Sequence, residues 1–117
     1  MQAITVFTMR VIAPPALRSQ LVNSLGALLE PTRVQPGCLG CCLYSDNDDP
    51  QAIMLTEEWS SLIELERYLD SDVRKTLIAA LELSIEPPLV QIDTIIRRTG
   101  PHLVGGLNEI NRRGTST

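Results

Sequence analysis

Two proline pairs and one acidic turn cut this chain into pieces of alternating character, and the order of those pieces constrains the fold more than any single motif. The stretch AITVFTMRVIA, residues 3–13, is dense in β-branched and apolar residues and reads as a strand. Pro14–Pro15 stops it, and Pro15 suits the first turn of a helix, where its missing N–H costs nothing. Leu17, Leu21, Leu25 and Leu28 follow at helical spacing, and Val22 and Leu29 widen the stripe. This first helix weakens at Pro31 and is over by Pro36–Gly37.

CLGCCLYS, residues 38–45, reads as a second strand and QAIMLTEEWS, residues 51–60, as a third. Between them DNDDP forms a turn, because Asp and Asn side chains bond their own backbone and Pro50 closes the loop. The two strands make a hairpin. Ser61-x-x-Glu64 fits a capping box at the start of a helix marked by Leu62, Leu65 and Leu69. Asp70–Ser71–Asp72 then offers new caps, so the helix breaks there and restarts through Val73, Leu77 and Leu81. Pro87–Pro88 ends it, and LVQIDTIIR is the fourth strand.

The fold class is therefore α+β, a ferredoxin-like β-α-β-β-α-β arrangement with an antiparallel sheet and both helices on one face. Residues 1–98 form this domain, and the Gly-rich, polar residues 99–117 form a C-terminal tail, read either as an arm onto a partner subunit or as a loose end. The strands lack clean polar alternation. Ile4 and Val6 oppose Phe7, Met9 and Val11, and Leu89 and Ile95 oppose Val90, Ile92 and Ile96. Two helices cover one face only, so sheet-on-sheet packing in a homodimer is the economical way to cover the other.

All three cysteines lie in the second strand. In a regular strand Cys38 and Cys41 face opposite ways, as do Cys41 and Cys42, while Cys38 and Cys42 share a face about 13 Å apart. No pair can then grip one zinc ion, and buried reduced thiols are the expectation, with no metal and no cofactor. An odd cysteine count also argues against a disulfide framework and for the cytoplasm.

Bulk properties exclude other classes. The net charge is 10 − 14 = −4, so nucleic acid is not an expected partner; Arg97–Arg98 and Arg112–Arg113 read as solvated charge. No stretch approaches the ~20 apolar residues of a membrane span, and MQAITVFTMRVIAPP, interrupted by Arg10 and a proline pair, does not read as a signal peptide. The acidic run DNDD lacks the Gly and distal Glu of a calcium loop. No Gly-rich phosphate loop, G-x-S-x-G or Cys–His pair is present.

What remains is TEEWSS, which carries the only Trp. Glu57 and Trp59 share a strand face with Ile53 and Leu55. A carboxyl held among apolar residues has a raised pKa and can act as a general base; near a strand end, an Arg partner is the plainer reading. Tyr68 lies near the core stripe of the next helix, placed either to offer its hydroxyl to a cavity or to leave its tip in water.

Four strings together resemble the antibiotic biosynthesis monooxygenase family, which includes quinol monooxygenases and haem-degrading relatives. They are Pro36–Gly37–Cys38 at a strand start, Asp49–Pro50 ending the acidic turn, Glu57-x-Trp59, and Tyr68–Leu69–Asp70–Ser71 at the helix break. The resemblance covers about residues 3–98. It implies a dimeric α+β barrel with a pocket between sheet and helices in each subunit. It also implies a lining of Thr8, which stands where haem-degrading members have Asn, of Trp59, and of Tyr68, which stands where many members have His. Leu55 and Leu69 would add apolar walls. The only His, His102, lies in the tail, so the haem-ligand position is empty and haem degradation is not expected.

Two functions follow from the resemblance. One is a cofactor-independent monooxygenase that oxidises a quinol or polycyclic phenol with O2, using Tyr68, Glu57 and Thr8 around a ring walled by Trp59. The other is a non-catalytic dimeric module that binds a small aromatic ligand. An open cavity touching Trp59 and Tyr68 favours the first; a pocket closed by Leu, Met and Cys side chains favours the second.

Overall fold

A computed structural model describes residues 3–96. Four strands, β1 (Ile4–Ile12), β2 (Cys38–Ser45), β3 (Ala52–Trp59) and β4 (Leu89–Ile95), form one sheet in the order β2-β3-β1-β4, with every pair antiparallel. A 3-10 turn at Pro15–Leu17 leads into α1 (Arg18–Gly26) and α2 (Leu29–Arg33), and α3 (Leu62–Leu69) and α4 (Val73–Glu82) follow β3. This is the ferredoxin-like α+β architecture expected from the strand and helix order. The tail at 99–117 lies outside the described residues.

The core is built where the strand phase dictates. Phe7, Met9 and Val11 of β1 and Ile53, Leu55 and Trp59 of β3 are all buried. They pack with Leu21 and Leu25 of α1, Leu65 and Tyr68 of α3, and Leu77 and Ala80 of α4. All four helices thus serve one sheet face. The opposite face carries Ile4, Val6, Thr8 and Arg10, opposed across β4 by Ile95, Asp93, Gln91 and Leu89. It is mixed in character, and Tyr44 and Leu89 on it stand exposed.

Three local features differ from the sequence expectation. The first helix is split at Ala27–Leu28, where Leu28 N–H tightens onto the Leu25 carbonyl at 3.0 Å. Pro31 then falls in the first turn of α2, where its lack of an N–H is harmless. Second, β4 is exposed along nearly its whole length, so within one chain the two-sided burial expected of it is not met.

Third, a bulge between Cys38 and Gly40 changes the facing of the cysteines. Cys38 pairs with Trp59, Gly40 with Glu58 and Cys41 with Glu57. The extra residue, Leu39, restores phase, so Cys38 and Cys41 share the helix-facing side and Cys42 alone faces the other way. Cys41 is buried, Cys38 half-buried and Cys42 exposed, and all three are free thiols.

The approach to the site is fixed by short-range chemistry. Gly37 has φ +86, and a Cβ there would meet Glu64 Cγ at 2.5 Å, so both backbone and packing require Gly. Its carbonyl accepts from Ser60 N–H at 2.8 Å, tying the β2 start to the β3 end. Ser61 Oγ accepts from Glu64 N–H at 3.3 Å and caps α3. The Glu64 carboxylate faces Arg67 at 3.5 Å. The chain then breaks at Asp70–Asp72, where Ser71 Oγ donates to the Tyr68 carbonyl at 2.5 Å.

A candidate ligand cleft beside Trp59 and Tyr68

Glu57, Trp59 and Tyr68 converge. Strand alternation puts Glu57 and Trp59 on the helix-facing side, and α3 lays Tyr68 across them. The Trp59 and Tyr68 rings lie 4.9 Å apart at 34°, a tilted stack. Trp59 Nε1–H donates to Glu57 Oε1 at 3.0 Å. Tyr68 Oη and Thr32 Oγ1 share a hydrogen bond at 2.5 Å. Thr32 is itself buried, and its helix is fastened by Arg33, which donates to the Cys41 carbonyl through Nε at 3.0 Å and Nη2 at 2.8 Å.

Glu57 is 1% exposed. Among the described residues no Arg pairs with it. Its second oxygen, Oε2, has no hydrogen-bond partner among the described residues. Burial pushes its pKa up to about 7, partly offset by the Trp59 N–H. The group therefore exchanges its proton near neutrality, which is the range a general base or acid needs. Burial likewise pushes Tyr68 up to about 12, against the opposing pull of Thr32. That phenol stays neutral and acts as a hydrogen-bonding group, not a base.

Burial also raises Cys41 to about 12 and holds Cys38 above its ordinary value, with the Glu57 carboxylate adding to both. These thiols stay protonated and unreactive. Among the described residues no group of three or more His, Cys, Asp and Glu side chains is placed to hold a metal ion.

A cavity of about 220 Å³ opens beside this stack, lined by Gln35, Pro36, Trp59, Glu64, Arg67, Tyr68 and Ser71. A second hollow of about 360 Å³ shares Gln35, Tyr68 and Ser71 and continues past Thr32 and Val73. The two adjoin at the α3–α4 break with Tyr68 in the wall of both, and are together called the cleft. It is open and bounded by Tyr68, with Trp59 in the wall behind that ring. Trp59 itself is 0% exposed, so it forms the back of the wall.

The remaining sequence candidates are placed as follows. Leu55 is fully buried in the core beneath Trp59 and is not part of the cleft lining. Leu69 faces a different, apolar hollow. Thr8 pairs with Thr56 on the opposite face of the sheet and cannot reach the cleft. The first-strand hydroxyl on the Trp59 side is Thr5, which pairs directly with Trp59 and is buried. Thr5 shares its phase with Phe7 and Met9, so alternation carried that signal. Thr32 lies 36 residues from Tyr68 in sequence, with Gln35 three residues nearer, and no spacing rule joins them.

A profile of the antibiotic biosynthesis monooxygenases matches residues 4–80. The chain belongs to the antibiotic biosynthesis monooxygenase family. The solved structures agree in fold. The Rv0793 protein of Mycobacterium tuberculosis is 26% identical with TM-score 0.69, covering 83% of this chain and 97% of its own. The PA3566 protein of Pseudomonas aeruginosa is 25% identical with TM-score 0.67, covering 85% and 97%. A Nitrosomonas europaea protein described as a candidate antibiotic biosynthesis monooxygenase is 15% identical with TM-score 0.73, covering 86% and 97%. No curated protein matches the chain in a sequence search. Among the described residues no helix is long and apolar enough to cross a membrane.

Proposed function

We propose that this protein is a cofactor-independent monooxygenase, acting in the cytoplasm as a homodimer, that oxidises a quinol or polycyclic phenol in the cleft beside Trp59 and Tyr68. The observation that carries this reading is Glu57: a buried carboxyl with one oxygen unpartnered among the described residues, titrating near neutrality, directly behind an aromatic stack that borders an open cavity. An electron-rich phenol, once deprotonated, reduces O2 itself. One oxygen atom enters the substrate as a carbonyl. The other leaves as water with two substrate hydrogens, so no outside reductant is required. The aromatic stack would position the ring, Tyr68 and its neighbours would orient its oxygens, and Glu57 would accept the proton. Covering the cleft with substrate would exclude water. Thr8, on the other face, has no part in this chemistry.

A second reading has an observation of its own. Trp59 and Glu57 are sealed from solvent, so a ligand entering the cleft as it stands meets Gln35, Arg67, Tyr68 and Ser71 rather than the carboxylate. That surface suits a non-catalytic module binding a small aromatic molecule. Oxygen uptake by the metal-free protein with hydroquinones and anthrone-like phenols separates the two. Uptake above background that is lost in Glu57→Gln supports the oxygenase. Saturable binding without uptake supports the module.

A further inference from the structure

The cleft does not stop at the α3–α4 break. Its second hollow meets a third, of about 320 Å³, at Thr76. That third hollow lies between α1 and α4, with Leu21 and Ser24 on one wall and Ala79, Ala80 and Leu83 on the other. Along α4 the lining of the two steps through Val73, Thr76, Ala80 and Leu83, at i, i+3, i+7 and i+10. Across from it Leu21, Ser24, Leu28 and Thr32 step at i, i+3, i+7 and i+11. Val73 meets Leu28 and Thr32 at the Tyr68 end, and Leu83 meets Leu21 at the far end. From Val73 to Leu83 the helix rises about 15 Å, which sets the length of the groove.

Leucine, valine and alanine side chains line most of this groove, and Leu21 and Ala80 are buried beneath it. Ser24 and Ala79 are short, which leaves the space a larger side chain would fill. Lys75 is the one charged group among the described residues lining the third hollow. A lysine stem lies along an apolar chain while its ammonium stays in water. The groove is long and follows a helix axis, so it suits a chain rather than a second ring. We propose that the substrate held in the cleft carries an unbranched apolar chain, and that this chain lies in the groove between α1 and α4. The inference rests on the reading of the cleft as the place of a phenol or quinol ring and adds the class, a phenol bearing an alkyl substituent. With its ring at Tyr68, the chain passes Thr32 and Thr76 towards Leu83. Each methylene group removed from water tightens binding until the groove ends, and ordering the chain offsets part of that gain.

The test is calorimetric titration of the full chain, without oxygen, with methylhydroquinone and with hexylhydroquinone. The hexyl compound is expected to bind about tenfold tighter. Ala79→Phe fills the groove from an exposed position on α4 and is expected to bring the two ligands to equal affinity, with methylhydroquinone binding as before. Ser24→Phe, exposed on α1, is expected to do the same and serves if circular dichroism shows the first variant unfolded. Ile78→Phe, outside the groove lining on α4, is expected to leave the preference intact. Equal affinity for the two ligands in wild type overturns the proposal, as does a preference that survives both fillings or that falls with Ile78→Phe. In each of those outcomes methylhydroquinone still binds, so the reading of the cleft stands. Absence of saturable binding by either ligand at millimolar concentration overturns both.

Discussion

The two halves of the helix-facing sheet surface are made of similar side chains and are finished differently. On the β3 side, Ile53, Leu55, Glu57 and Trp59 are sealed under α2 and α3, and even a carboxyl is buried there. On the β4 side, Val90 and Ile92 stand half-exposed beside α4. The cause is coverage. Arg33 clamps α2 over β2, and the Thr32–Tyr68 bond joins α2 to α3, so helices close that half. Nothing described closes the other. The sealed half sets a carboxyl's proton affinity, whereas the open half leaves its apolar side chains half-exposed.

Substitutions break this comparison in graded steps. Trp59→Ala should be the most damaging, costing about 3–5 kcal/mol in urea unfolding through the cavity it leaves. It should also abolish any oxygen uptake. A loss under 1 kcal/mol would mean that the half is not sealed.

Glu57→Gln tests the buried charge. A carboxyl whose pKa is raised on folding stabilises the protein below its unfolded value. That stability is lost as pH rises from about 4.5 towards 7. Wild type should therefore lose roughly 3 kcal/mol relative to Glu57→Gln between pH 4.5 and 8. The variant's curve should be flatter over that range, read by denaturation at each pH. If Glu57 is the base, kcat falls in the variant with KM nearly constant, and wild-type kcat/KM inflects near pH 7.

Tyr68→Phe keeps the ring stack but strands Thr32 Oγ1 in the core, an expected cost of about 1–2 kcal/mol. The same change at Thr32, to Val, should couple with it in a double-mutant cycle, since each removes one partner of a single bond. On the open half, Ile92→Ser should cost no more than about 0.5 kcal/mol. A much larger loss would show that a partner copy or another segment covers β4.

Much of this was legible in the sequence. Proline pairs and turn residues placed the elements, Ser61 marked its own cap, and Asp70–Ser71 marked the helix break. Strand alternation put Glu57 with Trp59. The environment of Glu57 was less legible: the plainer sequence reading gave it an Arg partner, and the described fold gives it Trp59 and, among the described residues, no partner for its second oxygen. Tyr68 likewise has its tip against Thr32, a contact made only in three dimensions. Thr8 stood on the wrong phase for the cleft, a matter of strand parity that Thr5 satisfies. The exposure of β4 depends on where the helices come to rest, which no local pattern encodes.

The bulge at Leu39 leaves β2 with two reading frames. Before it the even-numbered Cys38 faces the helices; after it the odd-numbered Cys41 does, opposite Glu57. Removing Leu39 would therefore leave Cys38, Gly40 and Cys41 as neighbours opposite Trp59, Glu58 and Glu57, an unbroken ladder with both thiols on the side they already occupy. Gly37 would keep its hold on the Ser60 amide at 2.8 Å. The inserted residue is thus a tolerated excess in the pairing, and the segment can lose it without turning any neighbour to the other face, whereas losing a paired residue such as Gly40 would shift the phase.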